Sequence, residues 1–391
     1  MLKGLSRLWW RGVKEIGKVQ QRQQRKLVKT LLAAPAKSKR PPVKSVAPAR
    51  TQAPAAKPKT EAETKSVQLP GKWMASYYSS FSALGEVPAR RMSYWLYIPD
   101  SVTTDSMPLV VMLHGCEQTA TQFSQGTRMN ELAEKKGFAV LYPQQSLKSH
   151  PNRCWHWYDK ATQGGGGEVQ LIVGIIDKVA QKYPIDKTRI YVAGISAGAA
   201  MANIVALNYP HLIAAVGLHS APVFGAGHSR MGAYAVMQRG AIKLIDTGIH
   251  EAVQKFAGQL KMPAILLHGQ SDKIVRAINL TQLAQQFRVL NQLSAEGEVP
   301  AVLKAAGRAG SRNPDHAYKT YDYYSGRKLL LRVCEIVQLE HAWSGGDCKL
   351  KFNACAGPDA SKMMWDFFAR HRRVVADNTG VKELLTDAGL F

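Results

Sequence analysis

One short glycine-bounded segment has the residue types of a nucleophilic catalytic turn. The segment 194–198 reads GISAG; it follows the apolar run RIYVA and precedes the helix-forming stretch AAMANIVALN. Glycine at both ends allows a sharp turn and a close approach of neighbouring backbone, which presents the serine hydroxyl at the N-terminus of a helix. The context predicts Ser196 as a nucleophile, and the alternative is an ordinary strand–helix turn.

A serine hydroxyl is a weak nucleophile and needs a base that is oriented by an acid. On a strand–turn–helix nucleophile these follow in the order Ser, Asp or Glu, His. Asp272 lies just past a strand in AILLHGQSDKIV, and His341 lies between an apolar strand and a glycine-rich loop in IVQLEHAWSGG. The predicted triad is therefore Ser196, Asp272 and His341. The alternatives are a turn-capping aspartate and a core or surface histidine, and the rival candidates are Asp315, Asp347 and His268.

Acyl transfer through a serine also needs two backbone N–H groups aimed at the developing oxyanion. One is expected from Ala197, the residue after the nucleophile, and the other from the loop 114–117, which reads HGCE and follows an early strand. Cys116 is the predicted donor in that loop, with Glu117 next. We interpret His114 as a packed loop histidine. The predicted reaction is attack by Ser196, an acyl-enzyme and hydrolysis by water.

The elements that must position these residues alternate between strands and helices. Short apolar runs bounded by glycine and proline are typical of parallel strands that are buried on both faces. Such runs or strand patterns occupy Ser93–Pro99, Pro108–Leu113, Gly137–Tyr142, Arg189–Ala193, Ile213–Leu218 and Ala264–Leu267. Helical stretches lie between them at Thr119–Lys136, Glu168–Tyr183 and Ala199–Asn208. The pattern predicts a mostly parallel sheet with helices on both faces, and chemistry at the carboxyl ends of its strands. Regions 223–261 and 283–328 are expected to be excursions that wall or cap a site.

Four segments together resemble one known family, the esterase/poly(3-hydroxybutyrate) depolymerase family, which includes feruloyl and acetylxylan esterases. They read LHGCEQTATQFSQGTRMNELAEKKGFAVLYPQQS, NRCWHWYD, GGGGEVQLI and RIYVAGISAGAAM. The likeness is densest over 92–222 and returns at 262–276 and 339–369. It implies an α/β-hydrolase fold, and it supports the triad and Cys116 at the oxyanion loop.

The predicted function is a serine esterase that acts on poly(3-hydroxybutyrate)-type polyesters, their oligomers or related short esters. The enzymatic alternative is a feruloyl or acetylxylan-type carbohydrate esterase. The non-enzymatic alternative is a granule- or membrane-surface coating protein with an inactive hydrolase body. No cofactor or metal is expected, because the chain has no H-E-x-x-H motif or paired C-x-x-C, and its glycine run at 164–167 lacks the P-loop pattern.

Five cysteines leave two candidate disulfides and one remaining thiol, Cys334. The family resemblance favours a Cys116–Cys154 bridge, which would fasten the oxyanion loop to the segment NRCW. Cys348 and Cys355 are close enough in sequence for a small loop bridge. Two bridges would favour an oxidising compartment; the alternative is five reduced cysteines.

Three tryptophans lie near the candidate site in sequence. Trp155 and Trp157 follow Cys154, and Trp343 lies two residues after His341. We predict them as walls of an apolar substrate pocket, and the alternative for each is core packing.

The chain of 391 residues carries a net charge of +24, and its excess of basic residues is concentrated at one end. Residues 1–67 hold 17 Lys and Arg against 3 Glu. We predict a basic amphipathic helix over 1–32, a disordered Ala/Pro/Lys-rich linker over 33–70 and the esterase domain over 71–391. The helix would dock to an anionic membrane or polymer-granule surface. The alternatives are a solvated tail that aids solubility and, less favoured because no reading module accompanies it, nucleic-acid binding.

Localisation follows from the family resemblance rather than from a signal peptide. The apolar stretch 27–34 is interrupted by Lys29 and Thr30, whereas a secretory signal needs an uninterrupted apolar region. The resemblance implies a secreted protein. The alternative is a cytoplasmic protein that is attached to a granule or to the inner membrane surface.

Overall fold

The computed structural model describes most of the predicted esterase domain. The predicted helix over 1–32 and nearly all of the predicted linker lie outside the described residues. Within the described ranges, no helix combines the length and the apolar composition that a membrane span requires. The described residues are 69–80, 90–101, 106–242, 247–255, 260–293, 298–306 and 315–373.

A sheet of ten strands forms the centre of the described structure. Its strands are β1 (Lys72–Ser79), β2 (Arg91–Ile98), β3 (Met107–Leu113), β4 (Ala139–Gln144), β5 (Ile185–Ile195), β6 (Ala215–His219), β7 (Ala264–Gly269), β8 (Glu298–Ala306), β9 (Asp315–Ser325) and β10 (Lys328–Ile336). They lie in the order β1-β2-β4-β3-β5-β6-β7-β10-β9-β8. The six central strands from β4 to β10 run parallel, and antiparallel strands flank them on both sides. A separate two-stranded pair consists of β11 (Trp343–Ser344) and β12 (Asn353–Ala354).

The helices of the described ranges connect these strands. They are α1 (Ala120–Thr127), α2 (Met129–Lys136), α3 (Lys160–Gln163), α4 (Glu168–Lys182), α5 (Ala197–Asn208), α6 (Arg230–Arg239), α7 (Thr247–Lys255), α8 (Ile278–Asn291) and α9 (Ala360–Phe368). The first of them begins at a capping box, in which the Thr119 side chain accepts the Gln122 N–H and the Gln122 side chain accepts the Thr119 N–H.

Hydrophobic cores cover both faces of the sheet, which is why its central strands carry uninterrupted apolar runs. Along β3, Leu109 and Val111 belong to one core cluster, whereas Val110 and Met112 belong to the other. Successive side chains of a strand point to opposite faces, so this alternation requires a packed layer on each side. The arrangement confirms the predicted α/β-hydrolase fold with its mostly parallel sheet.

Two sequence expectations differ from the structure. The stretch 119–136 forms two helices rather than one, because Arg128 takes a left-handed conformation with φ 55° between α1 and α2. Within region 283–328, β8 and β9 extend the sheet instead of walling a site, since they pair beside β10. Cross-strand pairing partners decide this second outcome, and they are not visible in the local pattern of the chain.

Close packing of α9 on the sheet depends on Gly217 in the middle of β6. A Cβ atom at this position would lie 2.9 Å from both Met364 Sδ and Phe368 Cζ. We expect Gly217→Val to lower the free energy of unfolding by about 1–3 kcal/mol through overpacking, as measured by urea unfolding. Gly164→Ala is the control, because a Cβ there would meet only carbonyl oxygens at 3.6 Å. Equal stability of the two variants would contradict this packing argument.

Candidate active site

Ser196 occupies a sharp bend between β5 and α5. Its backbone has φ 57° and ψ −125°, a conformation that costs a non-glycine residue about 1–3 kcal/mol and that surrounding contacts must therefore hold. One such contact is the Ser196 N–H, which donates to the His219 carbonyl at 2.9 Å. The Ser196 side chain makes no capping hydrogen bond to α5. Its hydroxyl therefore does not accept a hydrogen bond from the N–H groups in the first turn of α5.

The glycines on either side of the bend allow the end of β3 to approach it. A Cβ atom at Gly194 would lie 2.6 Å from the Leu113 carbonyl oxygen, and one at Gly198 would collide with the carbonyl oxygens of Leu113 and His114. Any larger residue would push these backbones apart. The two glycines therefore bring the loop that follows β3 next to Ser196.

Asp272 and His341 form a buried hydrogen-bonded pair. His341 Nδ1 donates to Asp272 Oδ2 at 2.7 Å, while Asp272 Oδ1 accepts the N–H groups of Ile274 and Val275, both at 2.9 Å. Burial by itself raises the pKa of the Asp272 carboxyl, but the charges of His341 and His268 and the hydrogen bonds from His341 and Val275 together lower it by more, so the net pKa lies below the ordinary value. Asp272 therefore stays ionised at neutral pH and holds the hydrogen of His341 on Nδ1.

A single cavity brings the predicted nucleophile and base together. It is a partly open pocket of about 250 Å³, including its open mouth, and both Ser196 and His341 line it. Asp272 lies directly behind His341. The catalytic roles of the three residues remain predictions, but their placement leaves His341 Nε2 as the ring nitrogen that does not bind Asp272. The full lining is Gly115, Cys116, Gln118, Ile195, Ser196, His341 and Phe352.

The loop after β3 presents Cys116 to the same cavity. The neighbouring Gly115 N–H donates to Gln118 Oε1 at 2.8 Å, and the Glu117 N–H donates to the Asn152 carbonyl at 2.7 Å. Glu117 was the second choice for the oxyanion donor, and this hydrogen bond occupies its N–H. The predicted pair of donors is therefore Cys116 and Ala197, whose N–H in the first turn of α5 has no acceptor within the helix.

Comparison with known proteins identifies the family. The model of the family "Esterase PHB depolymerase" matches residues 92–308, more than half of the chain. This chain belongs to the esterase PHB depolymerase family. The matched span contains Ser196, Asp272 and Cys116 and ends before His341.

The relatives of this chain include proteins with three different descriptions. Poly(3-hydroxyalkanoate) depolymerase C of Paucimonas lemoignei is 31% identical over 49% of this chain and 46% of its own length. Feruloyl esterase B of Thermothelomyces thermophilus is 29% identical over 52% of this chain and 71% of its own length. Acetylxylan esterase A of Emericella nidulans is 32% identical over 35% of this chain and 44% of its own length. This chain thus spans less than half of the first and third of these relatives.

A solved structure shares the fold of this esterase-family chain. An acetyl xylan esterase from Aspergillus awamori superposes with a TM-score of 0.57 at 20% sequence identity, covering 75% of this chain and 99% of that one. At this identity the likeness concerns the fold alone. It agrees with the mostly parallel central sheet.

Segment 152–155 fastens the oxyanion loop at three points. Cys154 forms a disulfide with Cys116, the Asn152 carbonyl accepts the Glu117 N–H, and Trp155 Nε1 donates to the His114 carbonyl at 2.9 Å. The second disulfide, Cys348–Cys355, closes a loop that carries Phe352 into the cavity lining. The structure thus contains both candidate disulfides. Among the described cysteines, Cys334 is the one left as a thiol, and it is buried.

The structure places the three predicted substrate tryptophans outside the lining of the cavity at Ser196. None of Trp155, Trp157 and Trp343 lines the cavity at Ser196, and all three are at most 3% exposed. Trp343 stacks on His219 at 5.2 Å between ring centroids and donates its Nε1–H to Ser361 Oγ. Sequence neighbours of site residues need not face the site, and here the large rings pack the core behind it. Trp157 lines a separate cavity beside α5.

The rival residues have other partners. His268 Nε2 donates to the Val275 carbonyl at 2.7 Å and lies 3.6 Å from Asp272 Oδ2, and His268 is not among the residues that line the cavity at Ser196. His114 Nε2 accepts hydrogen bonds from Gln144 and from the backbone of Gln145, as expected for a packed loop histidine. The rival acid Asp347 accepts the Lys349 N–H. The side chain of Asp315 lies outside the described part.

His219 is a site residue that sequence reasoning missed. Its carbonyl accepts the Ser196 N–H. Its Nε2 accepts the N–H of Ser344, the third residue after His341, at 3.3 Å. It therefore links the nucleophile bend to the histidine loop. Its position at the carboxyl end of β6 could have indicated it, because chemistry is expected at the carboxyl ends of the parallel strands. Across the described residues, no group of three or more His, Cys, Asp or Glu side chains is arranged to hold a metal ion.

Burial of His219 predicts a specific pH dependence of stability. Burial, together with the charges of His268 and His341, lowers its pKa from 6.5 to about 3. Between these values the unfolded chain binds a proton here and the folded protein does not, so stability falls as the pH falls through this window. We expect His219→Gln to reduce the slope of the unfolding free energy against pH by about 1.4 kcal/mol per pH unit, as measured by urea unfolding between pH 6 and 4.

The matched control for this measurement is His211→Gln, which replaces an exposed histidine. We expect it to leave the slope as in the wild type. A wild-type slope in His219→Gln would contradict the assignment of a buried, neutral imidazole to His219.

Proposed function

We propose that this chain is a carboxylic ester hydrolase that acts through Ser196, His341 and Asp272. One observation carries the proposal. Ser196 and His341 line the same cavity, while Asp272 holds His341 by a 2.7 Å hydrogen bond at Nδ1. Membership of the esterase PHB depolymerase family supports the same reaction class.

In the proposed mechanism, the ionised Asp272 keeps the hydrogen of His341 on Nδ1, so Nε2 accepts the proton of the Ser196 hydroxyl. The serine oxygen bonds to the ester carbonyl carbon, and the N–H groups of Cys116 and Ala197 stabilise the resulting oxyanion. Collapse of this intermediate breaks the ester bond, and the leaving alcohol takes the proton from His341. Water then releases the acid from the acyl-enzyme with the same proton transfers in reverse roles.

For the substrate we propose polyesters of the poly(3-hydroxybutyrate) type, their oligomers or related short esters. The relative described as a poly(3-hydroxyalkanoate) depolymerase supports this class. The relatives described as feruloyl and acetylxylan esterases support a carbohydrate-esterase alternative to an equal degree. Both classes require the same acyl transfer at Ser196.

Removal of the nucleophile tests the proposal. We expect Ser196→Ala to lower kcat for p-nitrophenyl butanoate by a factor on the order of 10⁵, because the acyl-enzyme can no longer form. Ser124→Ala is the control, since this hydroxyl donates to the Thr121 carbonyl on α1. A fluorophosphonate probe should label Ser196, as read by peptide mass spectrometry. Turnover that survives Ser196→Ala would overturn the proposed mechanism, whereas a wild type without ester turnover would favour the coating protein with an inactive hydrolase body.

For residues 1–32 we keep the proposal of a basic helix that docks to an anionic membrane or polymer-granule surface. These residues should bind by apolar contact and by charge, so deletion of 1–32 should weaken binding to anionic lipid vesicles, most strongly at low salt. Co-sedimentation with vesicles at two salt concentrations measures this effect. Equal binding of the full and shortened chains would remove the proposal.

For localisation we propose an oxidising, extracellular compartment. The two disulfides of the described structure support it, because structural disulfides persist mainly outside the cytosol. Attachment to a granule or to the inner membrane surface is the alternative that the basic segment favours.

A further inference from the structure

Two consecutive peptide units lead into the candidate active-site cavity, and side chains hold three of their four polar groups. The His114 carbonyl accepts the Trp155 indole N–H at 2.9 Å, and the Gly115 N–H donates to Gln118 Oε1 at 2.8 Å. The Gly115 carbonyl accepts a hydrogen bond from His114 Nδ1, also at 2.8 Å. The fourth group, the Cys116 N–H, has no acceptor among the described residues. It is the group that is predicted to bind the oxyanion.

The hydrogen bond from His114 to the Gly115 carbonyl also fixes the direction of the Cys116 N–H. In a planar trans peptide the carbonyl and the N–H that follows it point in opposite directions. The Gly115 carbonyl and the Cys116 N–H belong to one such peptide, so a bond that holds the first also holds the second. A rotation that turned this N–H away from the oxyanion would break the bond from His114. It would also turn a carbonyl oxygen toward the developing negative charge, which that oxygen would repel.

The surroundings of His114 select the tautomer that carries its hydrogen on Nδ1. Its Nε2 lies 3.1 Å from the Gln145 backbone nitrogen and 3.1 Å from Gln144 Nε2. The backbone N–H of Gln145 can only donate. The side-chain oxygen of Gln144 accepts the Ala120 N–H, so the nitrogen of this carboxamide is the group that faces His114, and it donates too. His114 Nε2 is therefore an acceptor. Burial lowers the pKa of His114 from 6.5 to about 4, which keeps the ring neutral at neutral pH.

We propose that His114 is a positioning residue for ester hydrolysis, whose Nδ1–H holds the Gly115 carbonyl and thereby aims the Cys116 N–H at the oxyanion. The inference rests on the proposed function and deepens it. His114 is fully buried and is not among the residues that line the cavity. It therefore acts on the reaction through the peptide between residues 115 and 116 and not by contact with the ester. A histidine that only filled space would not need a donor at Nδ1.

Two substitutions separate the roles of the two ring nitrogens. The carboxamide of asparagine can place an N–H donor near the position of Nδ1, whereas that of glutamine extends to the position of Nε2. We expect His114→Asn to keep most of the wild-type kcat for p-nitrophenyl butanoate. We expect His114→Gln to lower kcat by a factor on the order of 10² with little change in KM, because an oxyanion donor is no longer held in place.

His371→Gln is the matched control. His371 is also buried, but it does not line the cavity, and neither of its ring nitrogens has a partner among the described residues. We expect this variant to keep the wild-type kcat. Each kcat is expressed per active site, counted by complete labelling with a fluorophosphonate, so unfolded protein does not lower it. If His114→Gln keeps the wild-type value, or if His114→Asn loses as much as His114→Gln, the role of His114 is merely structural and the proposal is overturned.

The wild type supplies a test that needs no folded variant. Neutron diffraction from deuterium-exchanged crystals at neutral pH should show deuterium on His114 Nδ1 and none on Nε2. Deuterium on Nε2 alone would overturn the inference, because Nδ1 could not then donate to the Gly115 carbonyl. Turnover of p-nitrophenyl butanoate that survives Ser196→Ala overturns the proposed function itself, so the two failures are distinguishable.

Discussion

The bend at Ser196 is the constraint on which the rest of the site depends. A serine with φ 57° and ψ −125° is held by contacts that must offset its backbone strain. The contacts are close ones, since Gly194 and Gly198 allow the carbonyls at the end of β3 to lie where a Cβ atom would be. The same approach that holds the serine therefore positions the oxyanion loop.

Around this bend, neutral buried groups connect parts of the chain that are distant in sequence. His219 accepts hydrogen bonds from the Ser196 turn through its carbonyl and from the His341 loop through its ring. A ring that accepts a hydrogen bond has to stay uncharged, and the lowered pKa of His219 agrees with that role. Because His219 is uncharged, it does not compete electrostatically with His341 for the carboxylate of Asp272, and this favours the pairing of Asp272 with His341.

The oxyanion loop is held from the opposite side by the segment that carries Cys154 and Trp155. A disulfide, a backbone hydrogen bond and an indole hydrogen bond act on consecutive parts of the loop. Donors that stabilise an oxyanion are effective when they are fixed before the reaction, because no reorganisation is then needed as charge develops. The buried Trp155 thus positions the predicted oxyanion loop and does not line the cavity at Ser196.

Local patterns in the sequence predicted the mostly parallel sheet, the strands that flank Ser196 and the chain order of the candidate triad, while the α/β-hydrolase fold was implied by the family resemblance. These features depend on near neighbours along the chain, such as the glycines around Ser196 and the apolar runs of strands buried on both faces. Tertiary structure alone decided which N–H of the 116–117 pair is occupied and where the three tryptophans pack. Those outcomes depend on contacts between residues far apart in sequence, as in the hydrogen bond from His341 to Asp272 across 69 positions, and strand order and register determine such contacts.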